Sequence, residues 1–345
     1  MPATYVWPMS SLAPFTKAAY QAQQAAVHWS LVALHLGLRP FVTRKNEPDT
    51  RALQALRERL SELVALDLAN VERGAYPSEL LFQLPVREYL AGLPKLAGEV
   101  TRMIARARRG RTVELPRELD LSHYPEYFRR NFHWQTDGYF SSRSAELYDL
   151  GVEFLFLGTA DIMRRQIIPP LAPLLAGPEP RRVLDVACGT GRSLYQLSRA
   201  YPRHRYFGVD LSPFYIERAR ELLRGRSVSL LVENAESLTL RDASFDAVTS
   251  TFLLHELPKS ARHRVLAEMR RVLSPGGLLV LEDAAQLGDA PELEVFLKNF
   301  AHTMNEPYFK THIESDLATE LAGHGFRIVE QQPAFLAKVV VARAE

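Results

Sequence analysis

A single cysteine, Cys188, stands in 345 residues, so no disulfide can form within the chain and a disulfide scaffold is excluded. That scarcity favours a reducing compartment. No apolar run nears the roughly 18 residues that a membrane-crossing helix needs. The opening residues, Met-Pro-Ala-Thr-Tyr-Val-Trp-Pro, lack the cationic start of a secretory signal. A soluble, cytoplasmic protein is the expectation. An excess of either charge is missing too: 42 Lys and Arg face 40 Asp and Glu, a net of +2, which argues against a strongly basic nucleic-acid binder. Neither His-x-x-x-His nor a paired-cysteine spacing occurs. His255, Glu256, His302 and His312 therefore have no motif to organise them around a metal, and none is expected.

What is present is the composition of a globular chain: 47% hydrophobic, 24% charged and 10% aromatic, with 18 Gly and 22 Pro. These figures exclude disordered, collagen-like and coiled-coil chains. The length is more than twice a rough 150-residue domain, so about two domains are expected, with enough chain to bury a core unaided.

The pattern changes near residue 180. Before it, apolar residues recur at three-to-four spacing, predicting helices over 15–38, 48–68 (stripe Leu53, Leu56, Leu60, Leu63, Leu66) and 86–109, the last kinked or split by Pro94. An aromatic, polar stretch follows over 123–140. A further helix over 144–168 should stop at Pro169 and Pro170, and Gly177-Pro178-Glu179-Pro180 makes a turn. After the turn, strands are expected at 182–187, 205–209, 228–232, 245–251 and 278–282, with helices at 192–201, 213–223 and 259–273. Helices at 291–303 and 313–323 and a closing hairpin of strands at 326–330 and 338–342 complete the chain. Strands alternating with helices imply an α/β fold: a seven-stranded, mostly parallel Rossmann-like sheet with helices on both faces. The domain reading is a helical N-terminal domain over 1–120, an aromatic lid, linker and helix over 121–180, and a ligand-binding domain over 181–345.

The most informative segment is Val183-Leu184-Asp185-Val186-Ala187-Cys188-Gly189-Thr190-Gly191-Arg192-Ser193, which joins the first strand of the sheet to its helix. Ligands of open α/β sheets bind there. Gly189 and Gly191 let backbone come close to a ligand, and the following helix offers amide dipoles. A dinucleotide fingerprint would want Gly or Ala where Leu194 stands, which weakens a pyrophosphate reading. Asp185, an acid inside the strand, suits a cationic or zwitterionic ligand instead. Asp210, ending the second strand, can accept hydrogen bonds from both hydroxyls of a ribose. Asn234 and Ala235 follow the third strand, where an adenine edge would lie. Cys188 reads as a small packing residue.

These segments, with Gly208-Val209-Asp210-Leu211-Ser212, Asn234-Ala235-Glu236-Ser237-Leu238, Ser244-Phe245-Asp246-Ala247-Val248-Thr249-Ser250 and Ser274-Pro275-Gly276-Gly277, occur in order. Over about 145–345 the chain resembles the class I S-adenosylmethionine-dependent methyltransferases, in the branch of the ubiquinone/menaquinone C-methyltransferases. The resemblance implies S-adenosyl-L-methionine as cofactor and S-adenosyl-L-homocysteine as product. It implies that Asp185, Ala187, Cys188, Gly189, Thr190 and Gly191 line the methionyl part, that Asp210 and Leu211 hold the ribose, and that Asn234 and Ala235 face the adenine. Thr251 borders the same site, and Tyr148 resembles a tyrosine that the family places near the methionyl carboxylate. The family usually has Asp where Asn234 stands; an amide oxygen there still accepts from the adenine amino group.

Methyl transfer is an in-line displacement that needs near-attack geometry and exclusion of water, plus a base if the acceptor must lose a proton. His255 and Glu256, after the fourth strand, are the candidates, with Asp283 a third. His302 and Tyr308 lie in the insertion after the fifth strand, where the family builds acceptor walls. Asn305-Glu306-Pro307-Tyr308 has only a superficial likeness to the Asn-Pro-Pro-Tyr motif of base-amino methyltransferases, because it follows the wrong strand and lacks Pro at the second position. Trp134 and Tyr139, beside Gly138, suggest a lid. The expected partner is a small apolar or aromatic acceptor, methylated on carbon or oxygen, with the N-terminal helices available for homo-oligomer contacts. Two competitors are an RNA methyltransferase using Arg102, Arg106, Arg108, Arg109 and Arg111, and a cofactor-binding protein of this fold without methyl transfer.

Overall fold

The computed structural model describes residues 12–38 and 48–345. Three long helices lead: α1 (Pro14–Leu38), α2 (Thr50–Glu72) and α3 (Val86–Arg109). Asp49 caps α2, its carboxylate accepting from the Ala52 amide at 2.7 Å, which satisfies one of the unpaired first-turn donors. α3 runs unbroken through Pro94 and ends where Gly110 turns left-handed (φ 63°). The expected kink does not divide it.

The single helix expected over 144–168 is three: α4 (Ser142–Leu155), α5 (Ala160–Arg165) and α6 (Ile168–Leu175). Leu157 and Gly158 take positive φ (56° and 84°), which ends α4. Pro169 and Pro170 occupy the first turn of α6, where a missing amide hydrogen costs nothing, so they start a helix instead of stopping one.

Seven strands follow: β1 (Arg182–Val186), β2 (Arg205–Asp210), β3 (Val228–Val232), β4 (Phe245–Thr251), β5 (Leu273–Ala284), β6 (Phe326–Ala334) and β7 (Ala337–Ala344). Their order across the sheet is β3-β2-β1-β4-β5-β7-β6. The first five are parallel, and β7 is antiparallel to both β5 and β6. β5 is longer than expected because Ser274-Pro275-Gly276-Gly277 is absorbed as an irregularity between the Phe245–Leu273 and Ala247–Leu278 pairs.

Alternate residues of the central strands feed two cores. Val183, Ala247, Leu278 and Val280 pack with α6, α7 (Arg192–Ala200) and α8 (Pro213–Leu222), and with Leu63, Leu68 and Val71 of α2. Leu184, Val248, Leu279 and Leu281 pack on the other face with α9 (Lys259–Val272) and α12 (Leu317–Ala322). Burial on both faces explains the apolar run Leu278–Leu281 of β5 and the adjacent apolar pairs Val183-Leu184 of β1 and Ala247-Val248 of β4. Between β5 and α12 lie α10 (Glu294–Thr303) and α11 (Phe309–Ile313). The helix expected over 313–323 is thus divided, with Asp316 capping α12 through the Ala318 and Thr319 amides.

The leading helices are tied to the α/β core by a buried polar hub. Asp67 of α2 accepts from Arg165 of α5 (Nε–Oδ1 2.9 Å, Nη2–Oδ2 2.5 Å), from the Tyr76 hydroxyl at 2.6 Å and from the Tyr20 hydroxyl of α1. On α5, Asp161 pairs with Arg192 at the start of α7. Two buried ion pairs therefore tie α5 to α2 on one side and to the start of α7 on the other.

Candidate functional site

The loop after β1 is built on left-handed backbone at Ala187, Gly189 and Gly191 (φ 57°, 54° and 83°). It is pinned to β2 by Cys188 N donating to Val209 O and Gly189 N donating to Asp210 Oδ2, both at 2.9 Å. The two glycines differ in purpose. A Cβ on Gly189 would meet nothing within 4 Å, so that position is open. A Cβ on Gly191 would lie 2.9 Å from Leu223 Cδ1 and 3.1 Å from Ala219 Cβ, so Gly191 lets α7 start against α8. Cys188 packs on Gly208, and burial pushes its thiol well up, which suits a packing residue.

Two acids flank the loop. Asp185 is 1% exposed. Its Oδ1 accepts from Thr249 Oγ1 at 2.7 Å, and its Oδ2 is a buried acceptor without a hydrogen-bond partner. Burial pushes it up to about 7. Asp210 accepts from Gly189 N at 2.9 Å and from Ser212 N at 2.8 Å, and burial pushes it up to about 6. Ser212, not Asp210, caps α8.

A cavity opens at the C-terminal ends of β1, β2 and β4. Ala187, Gly189, Asp210, Leu211, Asn234, Ala235 and Thr251 line one side, with Tyr148 and Glu256. Aromatic residues close it: Tyr127, Phe128, Phe132, Tyr139, Tyr215 and Phe252. Glu233, Leu253, Leu257 and Val265 complete the wall. Its charged members are three carboxylates, and no lysine or arginine is among them. Asn234 Oδ1 already accepts from Glu236 N at 3.0 Å, which leaves one further acceptor position.

The aromatic stretch lies over this cavity. Phe132, Tyr139 and Phe140 are buried. Tyr139 stacks on Phe128 and Phe132 with ring centres 5.4 Å away in each case, its carbonyl accepts from Ser212 Oγ at 2.6 Å, and its hydroxyl donates to Glu256 Oε1 at 2.5 Å. Trp134 points elsewhere: its indole donates to Thr303 O at 2.6 Å.

Behind Glu256 lies a second layer. His255 Nδ1 is 2.5 Å from Asp283 Oδ1, and its Nε2 is 3.5 Å from Glu306 Oε2. Burial opposes a charged His255, but Asp283 and Glu306 outweigh it and lift the imidazole to about 9. Asp283 is held well below the usual range: burial works to raise it, and His255 and His312 overcome that. Burial pushes Glu256 up to about 7.

The structure therefore brings together Tyr148, Ala187, Gly189, Asp210, Leu211, Asn234, Ala235, Thr251, Tyr139 and Glu256. Asp185, Cys188, Thr190, Gly191, His255, Trp134, Asp283 and Tyr308 are not lining residues. Thr190 is turned to Asp149, its hydroxyl donating at 2.8 Å, and Tyr308 stacks under Arg130 and beside Tyr127. His302 is on α10, and its side chain lies outside the described residues. Sequence reasoning missed the walls formed by Tyr127, Phe128, Phe132, Tyr215 and Phe252, and it missed His133 and Glu306. Their signal was weak, since each stands in a motif noticed for another residue.

The arginine run is largely engaged: Arg106 is buried against Glu114 and the Trp134 carbonyl, Arg102 pairs with Glu99, and Arg111 with Glu114. Among the described residues, no His, Cys, Asp and Glu cluster is arranged to hold a metal, and no helix is long and apolar enough to cross a membrane.

Residues 183–277 match the family model described as a methyltransferase domain. The chain is 40% identical over 139 residues to a demethylmenaquinone methyltransferase of Deinococcus radiodurans, covering 40% of this chain and 55% of that one. It is 30% identical over 177 residues to an O-methyltransferase of Aspergillus nomiae, covering 50% of this chain and 76% of that one. A solved S-adenosylmethionine-dependent methyltransferase of Thermotoga maritima aligns with a TM-score of 0.45 at 21% identity, over 59% of this chain and 98% of that one. The chain spans little more than half the length of several curated relatives that it matches. The family-model match and the relative covered over three quarters of its length show the family: the chain is a member of the class I S-adenosylmethionine-dependent methyltransferases.

Proposed function

We propose that this protein transfers the methyl group of S-adenosylmethionine to carbon or oxygen of a small, uncharged, aromatic acceptor. The observation that carries the reading is the composition of one cavity. Its sheet side offers Asp210, Asn234 and the open backbone at Gly189, and its far side is aromatic and carries only negative charge. The residues fit the cofactor. Asp210 uses two of roughly four acceptor positions on backbone amides and keeps the others for ribose hydroxyls. The buried, unpartnered Asp185 Oδ2 lies two residues before the left-handed Ala187 and suits a cationic amino group.

When bound, the cofactor supplies an electrophilic methyl carbon on a sulfonium. The chain's residues do the rest. Tyr139, Phe128, Phe132 and Phe252 offer flat apolar surface to an aromatic ring and exclude water. Glu256, the carboxylate among the aromatic residues of the wall, is placed to take an acceptor proton, with His255 the preceding residue outside the lining. The segment around Tyr139 acts as the cover of the site. Without lysine or arginine on the wall, a phosphorylated acceptor such as RNA has no counter-charge in the cavity.

The test is to incubate the protein with methyl-labelled S-adenosylmethionine and a cell extract, then identify labelled products by mass spectrometry. Label in a neutral aromatic or quinol-type compound is expected. Label only in nucleic acid, or none with the cofactor bound, contradicts the reading.

A further inference from the structure

His133 and Glu306 come from segments 173 residues apart and meet behind Glu256. His133 Nε2 pairs with Glu306 Oε1 and lies 4.0 Å from Glu256 Oε1. With the His255 contacts, acid and imidazole alternate: Asp283, His255, Glu306, His133, Glu256. Of these five, Glu256 alone lines the cavity.

The two segments are clipped together. Asn305 Nδ2 donates to Asn131 O at 2.6 Å, beside the Trp134 indole bond to Thr303 O. His133 and Asn305 both hold φ at 53°, a left-handed conformation that L side chains adopt only where the fold holds them in it. Strained backbone on both sides of one ion pair marks a juxtaposition that the surrounding fold enforces.

Three carboxylates face two imidazoles in this chain of contacts. Burial opposes charge on His133, but Glu306 and Glu256 outweigh it and raise the imidazole. With His133 and His255 both charged, one negative charge is in excess, and an excess buried charge is costly. One proton relieves it. Other groups near Glu256 do not alter the count: the Tyr139 and Tyr148 phenols are pushed up by burial, and burial pushes His312 of α11 down to about 4. Lys310 of α11 is exposed beside Glu314, Glu282 of β5 is raised well above its usual range by burial, and Asp210 and Glu233 stand on the cavity wall.

We propose that Glu256 takes the acceptor's proton and that His133 and Glu306 are the positioning residues that keep it poised to do so. The site then selects acceptors that give up a proton as they are methylated, a hydroxyl or an acidified C–H. This rests on the methyl-transfer reading above. The bond between the acceptor atom and its hydrogen breaks, the proton goes to Glu256, and the freed electron pair forms the bond to the methyl carbon. The carbon–sulfur bond breaks with its pair left on sulfur, and the Glu256 proton leaves to solvent with the product. Charge and atoms balance without a further reactant.

The experiment follows the Glu256 carboxyl directly by infrared difference spectroscopy on the full chain with carboxyl-labelled glutamate, saturated with S-adenosylhomocysteine. Glu256→Gln assigns the band. In the wild type the protonated band titrates near neutral pH. His133→Gln removes a cation and moves the midpoint up by about 1–3 pH units, and Glu306→Gln removes a like charge and moves it down. Opposite shifts cannot come from general loosening. If one variant fails to fold, the direction of the other decides. A Glu256 charged throughout about pH 5–9, or midpoints that stay in place, overturns the proposal. Failure of the wild type to bind S-adenosylhomocysteine overturns the methyltransferase reading instead.

Discussion

Replacing Asp210 with Ala tests the group on which the proposed cofactor recognition depends. Its two oxygens accept from Gly189 N and Ser212 N at 2.9 and 2.8 Å, so the carboxylate is aimed by the backbone before any ligand arrives. Two acceptor positions remain for the ribose hydroxyls. Losing charge-assisted hydrogen bonds costs about 2–3 kcal/mol, which is roughly 30- to 150-fold in affinity. Titration calorimetry with S-adenosylhomocysteine at about pH 7.5, with melting followed in parallel, measures it. The wild type should also bind more weakly as pH falls through about 6, where burial places Asp210, because bound hydroxyls favour the ionised form. Asp210→Ala should lose that limb. Affinity within about threefold of wild type, with the limb intact, refutes the assignment.

Asp67→Ala should destabilise the chain by about 3–5 kcal/mol in urea unfolding, because it strands Arg165 in the interior; a loss under about 1 kcal/mol would mean that the α2–α5 hub is not what joins the leading helices to the core. The pH dependence of ligand-free stability follows from the buried groups with raised values, of which three serve as examples. Asp185 and Asp210 are raised by burial to about 7 and 6, and His255 by its carboxylates, against burial, to about 9. Folded values above unfolded ones give stability that is present at low pH and lost as pH rises through them. The ligand-free melting temperature should therefore rise by at least about 2 °C between about pH 8 and about pH 6, and S-adenosylhomocysteine should reduce that slope; a flat or opposite trend in calorimetric scans contradicts it.

The sheet was legible because central strands of a parallel sheet are apolar throughout, as in Leu278 to Leu281, and because glycine and proline punctuate their ends. Boundaries failed where punctuation has two uses. Pro169 and Pro170 open a helix, and Ser274-Pro275-Gly276-Gly277 distorts a strand without ending it. The proposed cofactor side of the site was legible for a local reason: Ala187, Gly189 and Asp210 sit in one β1–α7–β2 unit, at the ends of neighbouring strands. On the proposed acceptor side Glu256 and Tyr139 were legible but His133 and Glu306 were not, because these two meet Glu256 only through tertiary contacts, and neither pairing of imidazole with acid leaves any periodic trace. His255 looked like the base by residue type. The fold places it among carboxylates that keep it charged, behind the glutamate that reaches the cavity.

Nucleotide preference is the most direct measurement of all. The wild-type chain, offered S-adenosylhomocysteine and NAD separately in equilibrium dialysis, should retain the first at micromolar concentrations and leave the second free. Retention of NAD with no uptake of S-adenosylhomocysteine would contradict the account at its root.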